Sequence, residues 1–536
     1  MRETISLNGV WDFGFFGDHL PGTDAVLKDV MVVPGCFDLI SPWCGERGFA
    51  LYRRTVRIGG MVELAIDGAG VSAEVFWDDK CVGKVEIAYL PEKFRFDAGV
   101  EGEHQLTVRF DNRHNEHMQP QFDFFAYGGF YGDVTISRIP EKYLSEVLIS
   151  TEDYRRRNIR IRGSYSGGDG KVQLIFDNDI EYETEIKGGK FDCRLELPQA
   201  GLWSLDDPVM HRVIIRCNGD EIEESFGIRE FTSQGRQFIL NGKAVKLIGV
   251  NRHESHPTMG AAVPPQIMAA DLAMLKEAGY NFIRGSHYPQ RKQLLELCDR
   301  MGILVWEETL GWDFRTCHFA DPVSMGSQLE QARKMTIGSF NHPCVIIRGF
   351  LNETASDEPE NKAGIQALYD QIRAVDEHVL ISLASNKFPK DVCADIYDVI
   401  ALNTYPGWYD SCNETISTID RVRPAYERLA AGLPEDKPFI IGETGCEAIY
   451  GFRDPLNTYW SEDYQAEMLL EAFRYVQESD CAGISLWMFC DTRSHVTGPH
   501  VYTRARGFNN KGIVDEFRRP KQAWIELRKF NKGLRK

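Results

Sequence analysis

No CxxC pair occurs anywhere in the 536 residues; the thirteen cysteines are scattered and odd in number. A structural zinc site is therefore not expected, and a reduced cytoplasm is the simplest compartment. Positive charge is also in short supply. Lys and Arg number 61 against 79 Asp and Glu, a net charge of −18, which argues against nucleic acid or an anionic membrane surface as partner. It does not exclude an anionic small substrate, because one local cation can reverse the field inside a pocket. No apolar window approaches the length of a membrane span. The opening residues, MRETISLNGVWDFGFFGDHL, lack a basic segment followed by an apolar core, so no signal peptide is expected.

What is present is the composition of a globular protein, 43% hydrophobic and 26% charged. The length calls for about two to four domains, one of them large. Residues 1–140 read as all-β: the runs VELAIDG, SAEVFWDD and HQLTVRFDN are separated by Gly, Asn and Asp turns, the pattern of a sandwich or jelly roll. Residues 141–232 continue with NIRIRGSY, KVQLIFD and HRVIIRCNG, whose lengths suit an immunoglobulin-like sandwich. From 233 to 536 the pattern alternates. KLIGV is a strand, and QIMAADLAMLKEAG is a helix with Met268, Leu272 and Leu275 on one face and Gly279 as its stop. The strand NFIRG and the helix QRKQLLELCDRMG repeat the unit. Counting on through ILVWE, VIIRGFLN, LISLAS, VIALN, FIIGE and GISLWMF gives the eight strands that close a (β/α)8 TIM barrel. Cys298, Cys344 and Cys481 lie in apolar runs and are expected to be buried.

Two of these strands end in a carboxylate. CVIIRGFLNE closes on Asn352 and Glu353, and PFIIGE closes on Glu443. The C-terminal face of such a barrel is the reactive one, so the two glutamates are expected to converge. Paired carboxyls are what glycoside cleavage needs: a gap of about 5 to 5.5 Å means a nucleophile and retention, and a wider one admits water and gives inversion. Other strand tips supply Asn251, Arg252, His253 and Glu254, then Arg284, Ser286, His287 and Tyr288, then Asn403, Tyr405, Trp408 and Tyr409, then Trp487. Rings that stack on sugar C–H faces, beside amides and imidazoles for the hydroxyls, suit a sugar pocket. An aromatic loop, FDFFAYGGFYGDV, interrupts the first sandwich.

Through GVNRHESHP, FIRGSHYP, LNE at 351–353 and WSEDYQ from 460, in that order, the chain resembles glycoside hydrolase family 2, the retaining β-galactosidases and β-glucuronidases. The order of two sandwiches and a barrel fits as well, so the resemblance covers essentially the whole chain. It implies Glu353 as acid/base, Glu443 as nucleophile and Asn352 on the sugar 2-hydroxyl. It also implies His253, His287, Tyr405, Tyr409 and Trp487 around the substrate. Asp123 matches the position from which the first sandwich sends a carboxylate to the distal hydroxyls. Glu353 must start protonated near neutral pH, and repulsion from Glu443 is the expected cause of its raised pKa.

The stretch ARGFNNKGI bears on the C5 substituent. Asn509 and Lys511 fit the N-x-K motif by which β-glucuronidase-like enzymes grip the sugar carboxylate, whereas a bare NNK tripeptide is only a turn. An ammonium and an amide complement a carboxylate, and a neutral CH2OH gains much less from them. The resemblance thus implies a β-uronidase acting on a β-glucuronide or a β-galacturonide. Three departures leave the C4 configuration open: TMGAAVPP replaces the usual Arg/Lys-Gly stretch, Pro406 stands where the nearest glucuronidases have Tyr, and Ala505 falls about where many carry arginine, flanked by Arg504 and Arg506. A β-galactosidase and a catalytically silent sugar-binding protein are the alternatives. The substrate is the expected partner, no cofactor or metal is called for, and a homo-oligomer is expected.

Overall fold

The computed structural model describes residues 2–113, 126–177, 180–409, 419–494 and 504–534. Within residues 4–138 a six-stranded and a four-stranded antiparallel sheet share one core, with a small three-stranded sheet beside them. Period-two alternation builds it. Along Ser72–Trp77 the buried residues are Ala73, Val75 and Trp77, and they pack with Val62, Leu64 and Ile136 from the other sheet. Residues 144–226 repeat the principle with sheets of three and four strands. Strand Asn158–Tyr165 alternates strictly, and its Ile159 and Ile161 meet Leu174 and Ile215 across the sandwich.

The third unit is a closed barrel of eight parallel strands: β1 (Leu247–Asn251), β2 (Phe282–Gly285), β3 (Leu304–Glu308), β4 (Val345–Asn352), β5 (Leu380–Ser385), β6 (Val399–Asn403), β7 (Phe439–Thr444) and β8 (Gly483–Leu486). All eight are the strands expected from the sequence. They are buried along their whole length, as strands covered on both faces must be. GISLWMF is shorter as a strand than it reads: β8 stops at Leu486, which leaves Trp487 beyond the ladder. The outer ring carries α1 (Pro265–Glu277), α2 (Lys292–Met301), α3 (Thr316–Ala320), α4 (Pro322–Gly338), α5 (Lys362–Val375), α6 (Val422–Ala430), α7 (Glu462–Glu478) and α8 (Gln522–Leu534). No α-helix follows β5; residues 386–398 join it directly to β6. Helix α1 buries Met268, Leu272 and Leu275 as its spacing requires, and Cys298, Cys344 and Cys481 are buried. Among the described residues no helix is long and apolar enough to cross a membrane.

Both sandwiches are fastened to the barrel. The ring of Tyr89 in the first stacks on Tyr288 of the barrel at 3.6 Å and 7°, and Arg291 donates to the Tyr131 carbonyl at 2.6 Å. The Asn341 amide before β4 accepts from the Ile149 N–H and donates to the Val147 carbonyl of the second.

Helix α2 ends on Gly302 at φ +66°, where a side chain is strained in the left-handed region. A Cβ there would also collide with the Leu205 carbonyl oxygen. Gly302→Ala should therefore destabilise the protein by about 1–3 kcal/mol, read as a lowered midpoint in thermal unfolding. An unchanged midpoint would show that the backbone there relaxes freely.

Candidate active site

Six barrel strands bring a polar side chain to one mouth, and the buried guanidinium of Arg284, from β2, ties most of them together. Its Nη1 donates to Glu443 Oε1 of β7 at 2.6 Å and to Asn251 Oδ1 of β1 at 2.9 Å. Its Nε donates to Glu308 Oε1 of β3 at 2.7 Å, and its Nη2 to Asn352 Oδ1 of β4 at 2.8 Å. Burial works against the Arg284 charge, but Glu308 and Glu443 outweigh it and hold the pKa above its ordinary value. Removing one partner of such a dry cluster typically costs about 3–5 kcal/mol, because it strands the opposite charge. The other oxygen of Glu443 accepts from the Tyr405 hydroxyl at 2.6 Å. Both carboxylate oxygens are thereby aimed, and burial followed by the Glu443 charge keeps the Tyr405 phenol protonated.

Glu353 stands one residue past β4, beside the same network: Asn403 Nδ2, from β6, donates both to Asn352 Oδ1 at 2.9 Å and to Glu353 Oε1 at 3.0 Å. The tip of β4 is strained. Leu351 and Glu353 have φ of +60° and +51°, a left-handed conformation that costs about 1–3 kcal/mol per non-glycine residue and is found at functional sites. The β4–β5 register shifts between Gly349 and Asn352, and the β7–β8 register between Ile441 and Thr444. Such irregularities re-aim side chains at a sheet's end. The Glu353 carboxyl is pushed up to about 7, first by burial and second by the Glu443 charge, while the Asn403 hydrogen bond pulls the other way. Repulsion from Glu443 is thus real but secondary, which corrects the cause expected from the sequence. The two carboxyls have different neighbours: Glu443 has the Arg284 cation against it, and Glu353 has the Asn403 amide.

One wall of the mouth is aromatic. His287 stacks on Trp487 at 5.1 Å, and His253 meets Trp487 edge-on at 5.2 Å. Burial, then His287 and Arg284, push the His253 pKa well below its ordinary value, so it stays a neutral imidazole. His287 Nδ1 lies 3.0 Å from Glu308 Oε2. The fully buried Lys511 places Nζ 5.8, 5.7 and 5.0 Å from the ring centres of Tyr405, Trp408 and Tyr409. One ring, Tyr405, therefore touches both the Lys511 cation and Glu443. Tyr409 is half exposed at the rim, at 52%. Asn509 is buried, and its Oδ1 accepts from the Lys511 N–H at 3.3 Å, so part of its role is the turn itself.

The amide nitrogen of Asn352 is buried and has no hydrogen-bond partner, a donor left over once its oxygen has taken Arg284 and Asn403. Asp123 lies outside the described residues. Sequence reasoning passed over Glu308, Glu447 and the part Arg504 plays. Glu447 accepts from Lys511 Nζ at 3.2 Å, from the Asn510 N–H at 3.0 Å and from Arg504. The available signals were the doubled acid at the end of ILVWEE and the second acid four positions after Glu443. Among the described residues, no group of three or more His, Cys, Asp or Glu side chains could hold a metal ion.

The Glu353 carboxyl should titrate at about 7, and Glu443→Gln should move that midpoint down, since it deletes a neighbouring negative charge. Carboxyl infrared difference spectra against pH measure both values. An unmoved midpoint would mean that the two groups do not sense each other.

Known proteins resemble this chain over most of its length. Residues 231–535 match the family model described as "Glycosyl hydrolases family 2, TIM barrel domain". A β-galacturonidase of that family from Eisenbergiella tayi, solved with galacturonate bound, superposes with a TM-score of 0.91 at 31% identity, covering 99% of this chain and 97% of that one. A β-glucuronidase of Streptococcus agalactiae is 25% identical over 98% of this chain and 96% of its own length. A β-galactosidase of Thermoanaerobacterium thermosulfurigenes is 24% identical over 98% of this chain and 75% of its own. With a matched barrel that spans more than half the sequence, the chain belongs to glycoside hydrolase family 2 and is a glycoside hydrolase.

Proposed function

We propose that the enzyme is a retaining exo-β-uronidase, which releases a terminal β-D-galacturonic or β-D-glucuronic acid by double displacement. The single observation that carries this reading is the buried Lys511 ammonium, which shares the Tyr405 ring with Glu443. A fixed cation one ring away from the reacting carboxylate suits a sugar whose C5 substituent is itself negative. The names of the similar proteins support the same class. Of the two C4 epimers we place the galacturonide first, on the 31% identity with the galacturonidase.

In this scheme Glu353, protonated below about 7, gives its proton to the glycosidic oxygen as the bond to the anomeric carbon breaks. Glu443, held by Arg284 and Tyr405, attacks that carbon from the opposite face and forms a glycosyl ester. Glu353, now a carboxylate, takes a proton from water, and the resulting hydroxide equivalent displaces Glu443 with net retention. The unpartnered Asn352 amide nitrogen donates to the 2-hydroxyl, a contact that strengthens as positive charge builds on the ring. Neutral His253 and the Trp487 face complete the sugar's surroundings.

Lys511→Ala is expected to lower kcat/KM at least about tenfold on the better nitrophenyl β-uronide and under about threefold on an activated β-galactoside, a difference worth about 0.7 kcal/mol or more in the transition state. Equal losses on both would remove the carboxylate argument. Glu443→Ala should abolish turnover, and azide should restore it with an α-glycosyl azide as product; a β-azide would assign Glu443 the other role. Because Glu353 must carry its proton to act first, kcat/KM should fall as pH rises through about 7.

A further inference from the structure

Glu447 sets a problem for a pocket that is read as binding an anion. It is a buried carboxylate, 1% exposed, lying against the cation that is to hold the sugar's own carboxylate. Four donors from a single stretch of chain converge on it: Lys511 Nζ at 3.2 Å, Asn510 N–H at 3.0 Å, Asn510 Nδ2 at 3.3 Å and the Arg504 guanidinium. Burial raises its pKa, but Lys511 and Arg504 outweigh that and hold it below the ordinary carboxylate value, so the ion pair persists at neutral pH.

The position of Glu447 in the chain explains what the contact achieves. It lies four residues beyond Glu443 on the segment that leaves β7, and Cys446 between them is buried. The next residue, Ala448, donates its N–H to the Asn510 carbonyl at 3.0 Å. Lys521 Nζ then clips both carbonyls, Ala448 at 2.7 Å and Asn510 at 2.9 Å, while resting on Asp491 at 2.7 Å. The segment bearing Glu443 and the loop bearing Lys511 are therefore locked in register, and Glu447 is the side chain that transmits this register to the ammonium. A lysine on four rotatable bonds is otherwise a loosely placed point charge, and selectivity depends on the charge being held where the substrate carboxylate will be.

We propose that Glu447 is a positioning residue that indexes the Lys511 ammonium to Glu443, and in this way sets the preference for a C5 carboxylate over a neutral C5 substituent. This rests on the uronidase reading above. It makes an acidic residue inside an anion pocket a requirement for selectivity.

The test compares wild type, Glu447→Gln, Glu447→Asp, Lys511→Ala and the Glu447→Gln/Lys511→Ala double variant on a nitrophenyl β-D-galacturonide, a nitrophenyl β-D-glucuronide and dinitrophenyl β-D-galactoside. Glu447→Gln is expected to lose at least about tenfold in kcat/KM on the better uronide and less than about threefold on the galactoside, with Glu447→Asp in between. In the Lys511→Ala background the same substitution should change uronide turnover less than about twofold, because the group it positions is gone. A merely structural role would lower both substrates together and would add to the Lys511→Ala loss; either result overturns the proposal. Should Glu447→Gln fail to fold, Glu447→Asp carries the same comparison. Wild type that cleaves the galactoside and neither uronide sinks the uronidase reading and this inference with it. Wild type that prefers a uronide, with Glu447→Gln unchanged in preference, sinks this inference alone.

Discussion

One buried arginine holds the mouth of this barrel together. Arg284 reaches from β2 to β1, β3, β4 and β7 at once; Tyr405 and Asn403 each bond to one of its partners, and Glu353 and Lys511 lie one contact further out. A guanidinium is the side chain that can do this: its rigid fork offers five donors and stays charged when dry. It lies over the Trp306 ring at 4.7 Å, so its remaining face is covered by a π-system rather than by water. The barrel supplies the rest, because parallel strands deliver their C-terminal residues to one face whatever their distance along the chain.

From that constraint the division between the two glutamates follows. Glu443 has a cation and a phenol directing both of its oxygens; Glu353 is buried with the Asn403 amide on one oxygen. Burial therefore decides the protonation of Glu353, and the like charge of Glu443 adds to it. The same balance of effects separates acid from base in other paired-carboxyl sites. The left-handed backbone at Leu351 and Glu353 is where the fold accepts local strain so that the carboxyl turns into the network.

How far the sequence discloses this depends on how local each signal is. The eight strands are legible because each is a short apolar run, and the first helices between them carry their own stops, Gly279 after α1 and Gly302 after α2. Glu353 and Glu443 are legible because each ends such a run. Arg284, Asn251 and Asn403 are visible as strand tips, but nothing in their spacing says that one cation would gather them. Glu308 is hidden beside Glu307: of two adjacent acids on a strand, one faces the barrel interior at Arg284 and the other faces Arg348 at 3.2 Å, and only the register of the closed barrel decides which. Glu447 is hidden for a different reason. An acid is not what one looks for next to a carboxylate-binding lysine, and its partners lie 57 to 64 positions further on. The sequence points to the Glu443 charge as the cause of the Glu353 shift because charge can be read from a sequence, whereas burial, the larger cause, comes only with the fold.

In the proposed double displacement, Glu443 is the group that bonds to the sugar. A 2-deoxy-2-fluoro-β-uronosyl fluoride slows both steps but leaves the second much slower, so the covalent intermediate accumulates. Peptide mapping by mass spectrometry after brief exposure should find the fluorosugar on the fragment containing Glu443, at that residue and in one equivalent per chain. A label on Glu353 or elsewhere, or prompt hydrolysis with no adduct under conditions of slow turnover, would contradict the account.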